Sequence, residues 1–237
     1  TVHILEASRR AKSVQAIVNV TTDKCYENRE WVWGYREHEA MGGHDPYSSS
    51  KGCSEIISSA YRRSFLNEEG IGLATARAGN VIGGGDWAQD RLIPDIMKAL
   101  VREKIVEIRN PNAIRPWQHV LEPLSGYLLL AEELFLKEKD VSDAWNFGPR
   151  DDDSKSVKWI VEKLGAKWGA STSSKLQPGD HPHEAHHLKL DISKAKQQLG
   201  WEPKWSLDTA LDKIVEFQKA WLASEDIREK CITQISE

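Results

Sequence analysis

Tyr47 and Lys51 stand four residues apart in the run Tyr47-Ser48-Ser49-Ser50-Lys51, and in a helix that spacing puts both side chains on one face. A phenol ionises near ~10 and a neighbouring ammonium favours the phenolate, so the pair reads as a general base and its tuner, able to take a proton from a hydroxyl. The pattern is weak by itself. It is sharpened by Thr22-Asp23-Lys24 upstream, which follow the continuous apolar, β-branched run Ala16-Ile17-Val18-Asn19-Val20. Such a run is expected of a parallel strand buried on both faces. An alcohol, a carboxyl and an amine would then emerge at the carboxyl end of that strand, where open α/β sheets bind their ligands.

The elements that must position these groups alternate between strand and helix. A helix is expected over residues 2–12, a strand over 15–20, and a helix opened by Pro46, running to about Leu66 and closed by Gly70. Ile56, Ile57, Ala60, Tyr61 and Phe65 form an apolar stripe on that helix, expected to be core or subunit interface. Ile71 to Arg77 reads as the next strand and delivers the loop Arg77 to Trp87 to the same sheet edge. Further on are a helix over 91–103, a short strand over 106–109, a helix over 122–139, a strand over 144–147 and a turn over 150–153. A helix over 154–168 follows, then a polar loop through His187, a strand-like 188–190, and helices after Asp191 and Ser206.

At 237 residues and 40% hydrophobic, the chain can bury a sizeable core. A net charge of -4 without a Lys/Arg block argues against nucleic-acid and membrane-surface roles. The longest apolar stretch, around Leu124 to Leu136, carries Ser125, Glu132 and Glu133 and is too short and too charged to span a bilayer. Cys25, Cys53 and Cys231 are odd in number and lack Cys-x-x-Cys spacing, so a reducing cytoplasm is expected, without a disulfide framework. The chain starts at Thr1 directly in a helical pattern and lacks a glycine-rich turn between strand and helix, so it reads as cut at its front, without a phosphate cradle for a dinucleotide.

Beyond these local signals, a series of strings carries a family likeness. They are Thr22-Asp23-Lys24-Cys25-Tyr26, Arg29 to Glu37, Met41-Gly42-Gly43, Tyr47 to Lys51, Arg77 to Trp87, Asp90 to Asp95, Ile114 to Pro123, Trp145 to Pro149 and His183-Glu184-Ala185-His186. Over nearly its whole length the chain resembles the nucleotide-sugar 4,6-dehydratases of the extended short-chain dehydrogenase/reductase family, and among them those acting on CDP-glucose. The resemblance implies an α/β fold, a Rossmann-like parallel sheet incomplete at the N-terminus with a smaller mixed α/β C-terminal substrate lobe. Residues 1–82 would be the C-terminal part of the NAD-binding lobe, and residues 83–237 mainly the sugar-nucleotide lobe, with 121–148 returning to the first. It implies NAD, CDP-glucose as substrate, a homodimer or higher homo-oligomer, and a place in deoxysugar and lipopolysaccharide biosynthesis.

In the mechanism so implied, Tyr47 removes the proton of the sugar 4-hydroxyl, NAD accepts the C4 hydride and later returns it to C6, and Lys51 orients the ribose and lowers the Tyr47 pKa. Thr22 would hydrogen-bond O4. Asp23 would be the acid for the departing 6-hydroxyl, which requires burial to keep it protonated. Lys24 stands where most such dehydratases carry a Glu and is expected to be the C5 base, provided its surroundings depress its pKa; the alternative is an electrostatic helper. Arg91 and Arg115 match diphosphate-contacting positions, Asn80 and Asn146 hydrogen-bonding positions near sugar and nucleotide, and His183 and Glu184 lie in a segment placed at the diphosphate. His183-Glu184-Ala185-His186-His187 also satisfies the His-Glu-x-x-His zinc pattern, but Pro178, Gly179 and Pro182 precede it and an alternating strand follows, so no metal is expected. Trp31, Trp33 and Trp87 are either core or rims of the site. Two rival readings remain: another nucleotide-sugar enzyme of the same family, such as an epimerase, and an inactive fragment or binding lobe.

Overall fold

The computed structural model describes residues 1–137, 141–170, 174–176 and 188–237. In chain order the first elements are α1 (Val2–Arg10), β1 (Ala16–Val20), α2 (Pro46–Tyr61), α3 (Asn67–Glu69), β2 (Gly72–Arg77), β3 (Val81–Ile82), α4 (Leu92–Val101) and β4 (Val106–Ile108). They are followed by β5 (Ile114–Pro116), β6 (Gln118–His119), α5 (Leu121–Lys137), β7 (Ala144–Asn146), β8 (Ser154–Ser156), α6 (Val157–Trp168), β9 (Ser174–Leu176), α7 (Leu207–Leu222) and α8 (Ile227–Ser236). The chain divides into two compact units, the first made of residues 1–79, 122–148 and 188–203 and the second of 80–121, 149–187 and 204–237.

The first unit is built on a parallel sheet of order β1-β2-β7. β2 is buried at every residue, as a central strand flanked on both edges must be, and its apolar and small residues suit that position. The register Ala16↔Gly72 through Val20↔Ala76 brings Thr21 to Lys24 and Ala78 to Asn80 out at the same end of adjacent strands. α2 begins with Asp45, whose side chain accepts from the Ser48 N–H at 3.0 Å, and with Pro46 in its first turn. It passes through a π-turn over Arg62–Leu66 into α3, and Gly70 at φ 72° ends it in the left-handed conformation that glycine adopts without strain. The core of this unit gathers Tyr26, Tyr35, Leu130, Leu134, Trp145, Phe147, Leu188, Leu190 and Trp201.

Residues 188–203 therefore belong to the first unit, where the sequence reading had put them in the second lobe. The reason is local: the Tyr35 N–H donates to the Lys189 carbonyl at 2.8 Å and the Asp191 N–H to the Tyr35 carbonyl at 2.9 Å. The expected strand over 188–190 reduces to a single bridge, Tyr35↔Leu190. On α2, Ile57 and Tyr61 pack against the small cluster of Leu5, Leu66, Ile71 and Leu73, while Ile56, and Phe65 in the π-turn beyond it, face solvent.

The second unit packs α4, α6 and α7 around Ile96, Leu100, Ile160, Leu164, Leu211 and Ile214. Each such buried aliphatic side chain contributes roughly 1.5–3 kcal/mol. Two short pairings escaped the sequence reading. Residues 154–156, expected to open a helix, form β8 antiparallel to β5, and α6 starts only at Val157, capped by the Ser156 hydroxyl. Residues 174–176, expected in a loop, form β9 parallel to β4. Both strands have three residues, too few for an alternation to register. No helix among the described residues is long and apolar enough to cross a membrane.

Candidate functional site

β1 delivers its polar residues into a single 3-10 turn, Asp23–Cys25, capped by the Thr22 side chain, which accepts from the Lys24 N–H at 3.4 Å. The Thr22 hydroxyl donates to Asp23 Oδ1 at 3.1 Å, and the Asp23 N–H donates to the Ala78 carbonyl at 3.1 Å, tying the ends of β1 and β2 together. Asp23 is only 3% exposed. Its carboxyl lies directly on the α-carbon of Gly79, in the space a side chain there would fill. Burial first, and then the charge of Asp23, push the Tyr127 phenol on α5 up to about 12. Lys24, in contrast, is exposed.

Tyr47 lies in the first turn of α2 and is 51% exposed. The ammonium groups of Lys51 and Lys24 each lie 6.0 Å from the centre of its ring. Lys51, one turn along α2, also donates to the Val20 carbonyl at 3.4 Å, which ties the helix to the end of β1. Thr22, Asp23, Lys24, Tyr47 and Lys51 thus come from two elements that meet at the carboxyl end of the parallel sheet.

Behind them lies a polar network that sequence reasoning missed. Arg77 pairs with Glu55 of α2 at 2.8 Å, with side chains 3% and 4% exposed. Glu55 also accepts from the hydroxyls of Thr21 and Thr75. Burial alone would push the Glu55 carboxyl up; the Arg77 guanidinium and the two hydroxyls offset this and hold it below its ordinary range. Arg77 donates in addition to the Tyr26 hydroxyl at 2.6 Å and the Glu37 carbonyl at 2.9 Å, leaving its Nε buried without an acceptor. A signal was available in the sequence: an Arg closing an otherwise apolar buried strand requires a counter-charge.

Asn146, expected near the substrate, is corrected by this network. It is fully buried, its oxygen accepts from Tyr26 Oη at 2.8 Å, and its Nδ2 donates to the carbonyls of Tyr35 at 2.8 Å and Asp191 at 3.1 Å. Its amide is spent inside the protein, and it acts as a strut joining three segments. Trp31 is half-buried against Tyr35 and Trp33, whereas Trp33 and Trp87 are exposed.

The remaining candidates belong to the second unit. Arg91 immediately precedes α4 and pairs with Asp86 at 3.1 Å while staying largely exposed. Arg115 sits half-buried in β5, with Nη1 donating to the Ile114 carbonyl at 3.0 Å. Asn80 has φ 46°, a left-handed conformation that costs a non-glycine residue roughly 1–3 kcal/mol, and its carbonyl accepts from the Gln118 N–H at 3.3 Å. His183 and Glu184 lie outside the described residues. Among the described residues no group of three His, Cys, Asp or Glu could hold a metal ion.

The chain is 57% identical over 232 residues to the CDP-glucose 4,6-dehydratase of Salmonella typhimurium, an alignment that spans 96% of this chain and 65% of that protein, just under two thirds. Among solved structures it is similar to the UDP-glucose 4-epimerase of Thermotoga maritima, with a TM-score of 0.80, 24% identity, and coverage of 93% of this chain and 68% of the other. It is also similar to the dTDP-glucose 4,6-dehydratase of Bacillus anthracis in complex with NAD, with a TM-score of 0.75, 21% identity, and coverage of 91% and 65%. At those identities the structural likeness establishes the α/β fold with its Rossmann-type parallel sheet. Residues 1–214 match the family described as GDP-mannose 4,6 dehydratase, and the chain belongs to that family of nucleotide-sugar enzymes.

Proposed function

We propose that this chain carries the catalytic residues of an NAD-dependent hydro-lyase that converts CDP-glucose to its 4-keto-6-deoxy product. The observation that carries the reading is the convergence of an exposed phenol with two ammonium groups 6.0 Å from its ring, next to a buried carboxyl at the end of the adjoining strand. The 57% identity to a CDP-glucose 4,6-dehydratase supports the cytidine substrate.

Bound NAD would supply the hydride acceptor for C4 and the donor for C6. The residues here fit its nicotinamide-ribose end only: Tyr47 and half-buried Lys51 are available at the strand ends, but no glycine-rich strand-to-helix turn occurs in the sequence to cradle the pyrophosphate. Tyr47 takes the proton of the 4-hydroxyl, and Lys51 holds the ribose beside it. The ketone formed at C4 acidifies the C5 hydrogen; Lys24, exposed in the free protein, takes that proton once bound substrate covers and desolvates its ammonium, and Asp23 gives one to the departing 6-hydroxyl, which leaves as water. Thr22 turns its hydroxyl from Asp23 to O4. By the family resemblance Arg91 and Arg115 are assigned to the diphosphate, whose oxygens accept paired hydrogen bonds from a guanidinium fork, and Asn80 to a hydrogen-bonding role near the sugar and nucleotide.

The exposed Ile4 of α1, Ile56 of α2 and Phe65 of the π-turn that follows it support a homo-oligomer assembled on that helical face. An exposed Cys53 thiol fits a reducing cytoplasm. A second reading is favoured by one observation, that β1 is paired on one side only among the described residues and the pyrophosphate cradle is missing. On that reading the 237 residues bind sugar nucleotide without turning it over.

Incubating the protein with NAD and, separately, with CDP-, TDP-, UDP- and GDP-glucose tests the proposal. The expected result is the strongly absorbing 4-keto-6-deoxy product from CDP-glucose in preference to the rest. Interconversion of C4 epimers without loss of water would point to an epimerase and sink the dehydratase reading; binding without turnover would favour the second reading.

A further inference from the structure

The helix that carries Tyr47 and Lys51, α2, rests on the sheet through a polar face. Its buried side chains are those of Ser48, Ser54, Glu55 and Ser58, with buried Arg62 following in the π-turn, while Ile57 and Tyr61 near its C-terminal end supply its apolar packing. Apolar burial is non-directional and changes little when a helix tilts or slides, whereas hydrogen bonds weaken steeply off axis and so fix a register. Along this seam Lys51 donates to the Val20 carbonyl, the Asn19 amide donates to the hydroxyls of Ser54 at 3.0 Å and Ser58 at 2.8 Å, and Arg62 Nε donates to the Leu73 carbonyl at 2.8 Å. Glu55 differs from these in holding side chains from both strands. One carboxylate oxygen accepts from the hydroxyl of Thr21, just past the end of β1; the other accepts from Thr75 at 2.7 Å and Arg77 at 2.8 Å, both in β2.

We infer that Glu55 is a positioning residue for the proposed reaction: by holding Thr21 with one oxygen and Thr75 and Arg77 with the other, it fixes how α2 lies on the ends of β1 and β2, and so where Tyr47 stands relative to Thr22. The inference rests on the reading of Tyr47 as the base. On that reading Tyr47 and Thr22 must reach one atom, O4 of the sugar, from two different elements, so the register of helix on strand is a condition of the first chemical step. Tyr47 precedes Glu55 by two helical turns, about 12 Å at ~1.5 Å per residue. A tilt of about 5° at Glu55 therefore carries Tyr47 about 1 Å, and a misplacement of ~1 Å can cost ~100-fold in rate. Glu55→Asp keeps the charge beside Arg77 and withdraws the carboxylate by one methylene, about 1.5 Å, so either the helix follows or the ties to the two threonines lengthen.

Glu55→Asp is expected to lower kcat ~10–100-fold with KM for CDP-glucose changed by no more than about twofold. Transient reduction of NAD in a single turnover should slow by the same factor, and deuterium at C4 should show a full primary isotope effect on kcat, because hydride transfer becomes rate-limiting. A variant that merely folds less well would reduce the amount of active protein and leave both quantities as they were. Thr21→Val, which removes only the tie to the end of β1, should act in the same direction and carries the test if Glu55→Asp does not fold. Amide hydrogen exchange reads the placement of α2 whether or not the chain turns substrate over: it should rise about tenfold in α2 and residues 21–25 and stay unchanged in α5. Unchanged single-turnover rates in both variants, or exchange that rises uniformly across the first unit, would overturn the positioning role alone. Turnover by Tyr47→Phe at the native rate would overturn the base assignment and this inference with it.

Discussion

Replacing Arg77 by Met tests whether the charge pair behind the site holds the strand ends in register. The pair is 2.8 Å apart with both side chains at least 96% buried, so the desolvation of Glu55 is already incurred, and the guanidinium, with the smaller help of the Thr21 and Thr75 hydroxyls, offsets it. Met preserves the length and apolar volume of the arginine stem and removes the charge. The Tyr26 hydroxyl and the Glu37 carbonyl lose a donor at 2.6 and 2.9 Å, and the buried Nε, which has no acceptor, loses nothing. Leaving one member of a buried pair uncompensated typically costs about 3–5 kcal/mol, a large part of the ~5–15 kcal/mol that stabilises a domain. Urea unfolding of the native and Arg77→Met chains measures it, through the midpoint at constant slope.

The same variant has a pH signature. Glu55 ordinarily ionises at 4.5 and is held lower in the native protein by Arg77 and the two hydroxyls. Without the guanidinium, burial would raise it above 4.5, so the folded variant binds a proton more readily than its unfolded chain and the deficit should shrink as pH falls through that raised value. Glu55→Gln in combination with Arg77→Met should recover most of the loss, because no unpaired charge remains. A single variant within ~1 kcal/mol of native would mean that the pair behaves like a surface contact, and the reasoning would fail.

Two further outcomes follow from the structure. His119 is buried against Trp205 with its Nε2 lacking a partner, and burial together with Lys213 depresses its pKa from 6.5 to about 4. The imidazole is neutral in both states above pH 6.5. As pH falls from 6.5 towards about 4, the unfolded chain binds a proton that the folded chain refuses. Stability should therefore drop across that window by as much as about 3 kcal/mol, because each tenfold difference in proton affinity between the two states is worth ~1.36 kcal/mol. His119→Phe should remove that part of the slope, and an unchanged profile would count against it. Lys24→Met should abolish exchange of the C5 hydrogen with deuterated solvent while C4 oxidation continues; undiminished exchange would remove Lys24 from the role of base.

The candidate site residues were legible in the sequence because their signals are local. Tyr47 and Lys51 announce themselves by helical spacing, and Thr22, Asp23 and Lys24 by following an apolar β-branched run, and the sheet brings both groups to one end. β2 and α2 were equally plain, each being long enough for its periodicity and its end signals, Pro46 and Gly70, to agree. Strands β8 and β9 were not, since three residues carry no period and their pairing is decided by partners distant in the chain. The seating of Asp23 on Gly79 and the burial of Asn146 were invisible for the same reason, and although Arg77 at the end of an apolar strand signals a need for a counter-charge, the sequence does not say that Glu55 supplies it. Sequence determines which groups are present and on which face of an element they lie, but whether two groups share a space depends on how elements separated by tens of residues pack. Only the close packing of β1, β2 and α2 decided that one glycine's empty side-chain position would be filled by another residue's carboxyl.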